Sequence, residues 1–313
     1  MYKYAVRESF GKRKLNTIKY SDVKDFYFYL LFERNYQANT LETVHTIIHP
    51  VFSLSIREGL IRVNPSDGVM AEIKKSSKWE VPKRHALTIP QQKAFTNYIK
   101  NSVTFRGWLP MMVVLLGTGM RIGECLGLTW DDVDLENRVI HVRHMLIYRI
   151  GPDGKMAHHI TLPKTKAGIR DIPMFDDVYY ALQEERLFQE SVGFCKDIVD
   201  GYTGFVFSNR FQKVNVPYTV NKAIKRIYTA YNAEEEVKAA EEGRPPVLIP
   251  HFSAHHLRHT FCTRLCENES NVKVIQTIMG HSDYATTMEI YADVTQEKKK
   301  ETFKNLEGKM SLF

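Results

Sequence analysis

The sequence has no long hydrophobic run. Its longest uninterrupted apolar stretch is Met111–Leu116, far short of the ~20 residues that a membrane-spanning helix needs. The amino-terminal residues carry charges where a secretory segment would carry an apolar core, so the chain is expected in the cytoplasm, with no membrane partner. Cysteine is scarce: Cys125, Cys195, Cys262 and Cys266 show no framework spacing, which excludes a disulfide scaffold and suits a reducing compartment. A glycine-rich nucleotide loop and an acidic metal-binding cluster are missing as well.

What is present is enough chain for two bodies. At 313 residues, with 43% hydrophobic and 25% charged residues, each body can bury a core. The net charge is +7, and residues 1–87 hold 15 Lys and Arg against 9 Asp and Glu. The excess therefore sits in the amino-terminal quarter. A basic surface of this kind suits a polyanion, DNA above all, because phosphate contacts release counterions; a ribosome or an acidic protein would select the same composition.

The first region reads as small and all-helical. "SDVKDFYFYLLFER" offers Ser21 as a cap before apolar residues at helical intervals. "TLETVHTIIHPVFSLSIREGLI" continues with Thr40 as cap, Pro50 as a kink or break, and "NPSDG" from Asn64 as its stop. Residues 1–73 are expected to form this helical body and residues 74–86 a basic linker carrying Lys74, Lys75, Lys78, Lys83 and Arg84. Those cations would either follow a phosphate backbone or only solvate the linker.

The remainder mixes helix and sheet. "TIPQQ" caps a helix, "GWLPMMVVLLGTGMRIGECLGLTW" gives a buried helix, a glycine-rich break and a second helix near Arg121. "RVIHVRHML" and "HITLPKTKAGIRDIPM" alternate as strands of a small antiparallel sheet with Gly168 at a hairpin tip, and "VFSN" offers an edge strand. Helices are expected over 217–231, 254–267, 271–279 and 284–291, with the acidic stretch 233–246 as a loop or an extended helix end. The fold class is mainly α with a small antiparallel sheet.

Taken singly, the reactive residues are bland. Arg121 and Glu124 are an i, i+3 pair that would make an ordinary salt bridge. His255 and Arg258 share a helical face, and two groups that suit a phosphate lie side by side. His255, His259, Cys262 and Cys266 form a row that hints at zinc, but one helix cannot offer four ligands to a tetrahedral ion. No metal site is expected. His281 follows a helix-ending glycine, and Tyr291 stands ten positions later, where a half-buried core tyrosine is the ordinary reading.

Jointly, the ordered set Arg…Lys…His-x-x-Arg…Gly-His…Tyr resembles the tyrosine recombinase (phage integrase) family. The boxes are "GTGMRIGECLGLTWDDVD", "HHLRHTFCTRLCE" and "IMGHSDYATTMEIYADV". The likeness runs from about residue 15 onward, closest to integrases of conjugative transposons and temperate phages. It implies site-specific cleavage and rejoining of double-stranded DNA through a 3′-phosphotyrosyl intermediate, with no metal, ATP or other cofactor. It further implies a helical core-binding domain and a catalytic domain, here 87–292, closing as a clamp on DNA.

The resemblance assigns Tyr291 as nucleophile and Arg121 and Arg258 as clamps on the phosphate oxygens. His255 would be the acid and base on the phenol, and His281 a hydrogen-bond donor to the phosphate. Tyr284, too close to His281 for the motif, would be structural. A hairpin lysine would protonate the leaving oxygen: Lys164, with Lys166 as the alternative. Lys166 and Arg170 join the linker cations as DNA contacts. The tail, 293–313, would form a helix exchanged between protomers of a homotetramer on two DNA sites, with a directionality or DNA-bending factor as accessory. Relatives carry a further amino-terminal arm-binding domain, so the start near "GKRKLNTIKYSDV" implies a shortened form, a misassigned start or a protein that works without arm sites. The alternative function is a catalytically inactive, integrase-like DNA-binding regulator.

Overall fold

The computed structural model describes residues 1–76, 79, 85–151, 154–163 and 165–306, with 296–306 as backbone only. The chain divides into two compact units, Met1–Lys83 and Arg84–Phe313. Among the described residues, no helix is long and apolar enough to cross a membrane.

Unit 1 is helical. Its α1 (Tyr20–Phe28) starts one residue before the expected cap, because the Asp22 carboxylate accepts the Lys19 backbone N–H at 2.8 Å and closes the first turn. The helix α2 (Ala38–Arg57) takes Thr40 into its first turn and runs unbroken through Pro50. Pro50 leaves a helix bond unmade, but burial of Leu41, Val44, Ile48 and Phe52 along one face holds both halves together. After the turn at 64–68, where Asn64 Oδ1 accepts the Ser66 hydroxyl at 2.6 Å, α3 (Val69–Ile73) packs on α1.

The start of the expected linker belongs to this unit. The Lys74 ammonium is 2.8 Å from Glu42 and lies over the Trp79 ring, and Trp79 packs on the unit's apolar cluster. Lys75 is exposed, while Lys78, Lys83 and Arg84 lie outside the described residues.

Unit 2 begins with α4 (Ile89–Asn101), capped as the sequence suggests by Thr88 Oγ1 on the Gln91 N–H. Its core is built on α5 (Leu109–Thr118), in which Met112, Val114 and Leu115 are fully buried, each worth about 1.5–3 kcal/mol of transfer free energy. Gly119 then ends α5 in the left-handed region at φ 61°, and α6 (Ile122–Gly127) opens at Arg121.

The strands are β1 (Val133–Asp134), β2 (Val139–Val142), β3 (Met145–Ile150), β4 (Met156–Thr161) and β5 (Arg170–Pro173). They form an antiparallel sheet β1-β2-β5 and a separate hairpin β3-β4. Gly168 is therefore not a hairpin tip. The tip lies between Ile150 and Met156, and Gly168 closes a short turn, Lys166–Gly168, that leads into β5. Lys166 stands on that turn rather than on a strand. "VFSN" adds no strand: Phe205, Val206 and Phe207 are all buried, and the segment forms only isolated bridges at Phe205 and Ser208.

Four of the five remaining helices complete the body: α7 (Asp176–Val192), α8 (Pro217–Glu241), α9 (Ala254–Asn268) and α10 (Val272–Met279). Of the acidic stretch 233–246, the part through Glu241 is an extended end of α8, and the remainder follows the helix as turn and irregular chain. The last, α11 (Tyr284–Leu306), carries Tyr291 and continues without a break into the tail. The boundary expected at 292/293 thus falls inside one helix.

Candidate active site

Three arginines from three separate segments meet at the carboxyl end of α10. Arg170 Nε donates to the Ile278 carbonyl at 2.8 Å, Arg258 Nη2 to Met279 at 2.5 Å, and Arg121 Nη2 to Gly280 at 3.3 Å. The last carbonyls of a helix have no partner within it and mark the negative end of its dipole. Cations are the natural caps. Arg258 also reaches back, its Nη1 donating to the Gly119 carbonyl at 2.6 Å, which ties α9 to the turn that presents Arg121.

That turn depends on Gly119, and the end of α10 that the arginines cap depends on Gly280. A Cβ on Gly119 would lie 2.4 Å from the Phe261 ring, and one on Gly280 would lie 2.9 Å from both the Ala167 carbonyl and Arg170 Nη1. Gly119 and Gly280 also hold φ values of 61° and 63°, which disfavour any larger residue.

Glu124 organises two of the cations. Its side chain is fully buried, accepting Arg121 N–H and Nη1 at 2.8 Å each and Arg170 Nη1 and Nη2 at 3.2 and 2.9 Å. Burial alone would raise its carboxyl, yet the hydrogen bonds and charge of Arg170, with those of Arg121, hold it below the usual range. Three guanidiniums thus face one carboxylate, and the excess positive charge makes the centre ready for an anion.

The remaining groups follow from this field. Arg258 is almost fully buried, and burial together with the Arg121 charge pushes its guanidinium below the ordinary value. His281 is buried too. Desolvation, then the charges of Arg258, Arg121, Arg170 and His255, push its imidazole down to about 4, so it is neutral at pH 7. Its Nδ1 lies 2.9 Å from the hydroxyl of Thr287. His255 stands exposed in the first turn of α9, one turn before Arg258.

Tyr291 is half-buried on α11 and packs on a small cluster of Phe261, Cys262, Cys266, Ile275, Met279 and Val294. Phe261 and Met279 are the residues that press on Gly119, so the cluster carrying Tyr291 abuts the arginine centre. Tyr284 is half-exposed at the start of α11.

Arg121, Arg258, His255, His281 and Tyr291 are thus drawn from distant segments into one region. Lys166 is exposed, and Lys164 lies outside the described residues. Arg170 requires a correction. Expected at a DNA surface, it is buried with its side chain 4% exposed and every nitrogen engaged. The antiparallel register sets it there, since Arg170 and Ile172 share the inward face of β5.

The model of the phage integrase family matches residues 86–298. The chain belongs to this family. It is similar to the transposase of transposon Tn916 from Enterococcus faecalis, 31% identical over 289 residues, 92% of this chain and 66% of that protein. The chain therefore spans just under two thirds of that relative's length. A tyrosine recombinase XerC-like protein of Caldanaerobacter subterraneus is 24% identical over 293 residues, covering 91% of this chain and 70% of that protein.

Among solved structures, the Tn1549 transposon integrase in complex with transposon right end DNA superposes with a TM-score of 0.81 at 29% identity. The match covers 96% of this chain and 90% of that one. The resemblance to conjugative-transposon integrases and the mainly helical fold with small antiparallel sheets are both borne out. Sequence reasoning did not single out Thr287. It had one available signal, a hydroxyl one helical turn before Tyr291 on the same face.

Proposed function

We propose that the chain is a site-specific recombinase that cleaves and rejoins double-stranded DNA, integrating and excising a mobile element. Membership of the phage integrase family, together with the DNA-bound Tn1549 integrase as a structural relative, supports the reaction class. The observation that carries the mechanism is the convergence of three guanidiniums on the end of α10, beside the cluster that packs Tyr291.

In this reading the Tyr291 phenol loses its proton to His255, and its oxygen attacks the phosphorus. The bond to the 5′-oxygen breaks, leaving a 3′-phosphotyrosyl enzyme and a 5′-hydroxyl. Charge that develops on the nonbridging oxygens meets Arg121 and Arg258, fixed donors already oriented by Gly280, Glu124, Gly119 and Met279. His281, neutral, adds a hydrogen bond. The leaving oxygen takes its proton from a lysine of the connection between β4 and β5, Lys164, with Lys166 as the alternative. Guanidiniums supply the compensation a divalent ion would give, and the phosphotyrosine keeps the bond energy, so the proposed reaction uses neither metal nor ATP.

Unit 1, with Lys74 and Lys75, would hold the core site, and Lys166 would add a contact beside the active site. Four protomers would act on two sites, coupled by exchange of the α11 tail, with a directionality or DNA-bending factor as accessory.

The test is a nicked suicide duplex that traps the covalent intermediate, resolved on a denaturing gel. The wild-type protein should give a DNA-linked band and Tyr291→Phe none. An equal band from both would remove Tyr291 as nucleophile. No band from the wild type on its element's own core sites would leave a DNA-binding regulator.

A further inference from the structure

We propose that Thr287 is a positioning residue for the recombination reaction: its hydroxyl engages Nδ1 of His281, presents Nε2 to the bound phosphate and sets the register of the helix that carries Tyr291. The inference rests on the recombinase reading of the site. Thr287 is fully buried, and its Oγ1 lies 2.9 Å from His281 Nδ1. It stands on α11 four residues before Tyr291, so the two share one helical face. One hydrogen bond therefore links the helix of the nucleophile to the arginine centre.

The chemistry fixes what that bond must do. Burial, and then the three arginines around His281, oppose a charged imidazole, and a neutral imidazole donates through only one nitrogen. When the Thr287 hydroxyl donates to Nδ1, the ring proton is on Nε2, the form that can donate to a phosphate oxygen. Without the hydroxyl, the proton can reside on Nδ1, and the Nε2 lone pair then meets the anion.

The experiment is a double-mutant cycle of Thr287→Val and His281→Ala, read as the rate of covalent-complex formation at saturating suicide duplex. Thr287→Val should slow cleavage about 10²-fold, the scale of losing one transition-state donor, with duplex affinity and melting temperature close to wild type. Thr287→Ser should recover the rate to within about twofold. In the His281→Ala background Thr287→Val should cost almost nothing further. A full additional loss there, or a wild-type rate in Thr287→Val, overturns the proposal. If valine prevents folding, Thr287→Ala replaces it in the same cycle.

Nitrogen-15 spectra of histidine-labelled protein separate this inference from the recombinase reading, because they need no DNA. Thr287→Val should move the His281 Nδ1 resonance, located by its loss in His281→Ala. An unmoved resonance overturns the proposal whether or not the wild type cleaves, and failure of the wild type to cleave beside a moved resonance overturns only the reading of the site.

Discussion

Arg170 shows how far single residues can be read from sequence. The arginine next to two lysines in a polar connection looked like a surface cation, yet it shares with Ile172 the inward face of a strand, alternating with the exposed Asp171. Strand periodicity carried that information, and the basic neighbours outweighed it. Spaced motifs name Arg121, Arg258, His281 and Tyr291 directly, and folding gathers them into one region; the partners that hold them, Gly119, Met279 and Thr287, are joined only by folding. Arg170 and Glu124 are both buried, so removing one leaves the other uncompensated. Arg170→Met should lower stability by about 3–5 kcal/mol, the usual consequence of stranding a buried charge, and urea melts at pH 7 will measure it. A melt equal to wild type would show that Arg121 alone satisfies Glu124. The pH dependence has a definite sign. A carboxyl held below its ordinary value stabilises the fold above that value, and the contribution is lost as pH falls through the folded-state value; Arg170→Met should flatten that acid limb.

Among elements, helices were more legible than strand pairings. Thr88 and Gln91 announced α4, and the apolar run announced α5, because capping and burial are local. Pairing is not. β2 pairs with β5 across the intervening hairpin, and alternation within a strand does not say which strand it meets, so a glycine at 168 passed for a hairpin tip. The acidic end of α8 was left open between loop and helix; it is helix to Glu241, and Arg244, pairing with Glu235 and Glu242, ties the chain that follows back onto the helix end. The element on which the site turns is the end of α10, where Gly280 is left-handed and crowded by Ala167 and Arg170. Gly280→Ala should cost about 1 kcal/mol or more from the backbone conformation alone. It should slow covalent-complex formation further than the melt accounts for, because three arginines are oriented by carbonyls 278–280. Cleavage that falls only in proportion to folded fraction would show that the carbonyls do not orient the guanidiniums.

At the scale of the whole molecule, composition indicated a polyanion partner but not which cations meet it. The two described candidates of the linker differ: Lys74 is paired with Glu42 and stacked over Trp79, whereas Lys75 is exposed. Lys166 is exposed in unit 2, and Arg170 is spent internally on Glu124 and backbone carbonyls. Counterion release makes these differences measurable, since log affinity falls with log salt at a slope of roughly 0.9 for each phosphate neutralised on duplex DNA. Affinity for a core-site duplex, measured by anisotropy from 50 to 200 mM salt on the Tyr291→Phe protein to prevent cleavage, should fall steeply. Lys75→Ala and Lys166→Ala should each reduce that slope by about 0.9. Lys74→Ala should reduce it less, because its ammonium already has a carboxylate for a partner, and DNA must compete with Glu42 before any counterion is released. A slope unchanged by Lys75→Ala would place that residue off the DNA, and equal changes for Lys74 and Lys75 would mean that the pairing with Glu42 opens on binding.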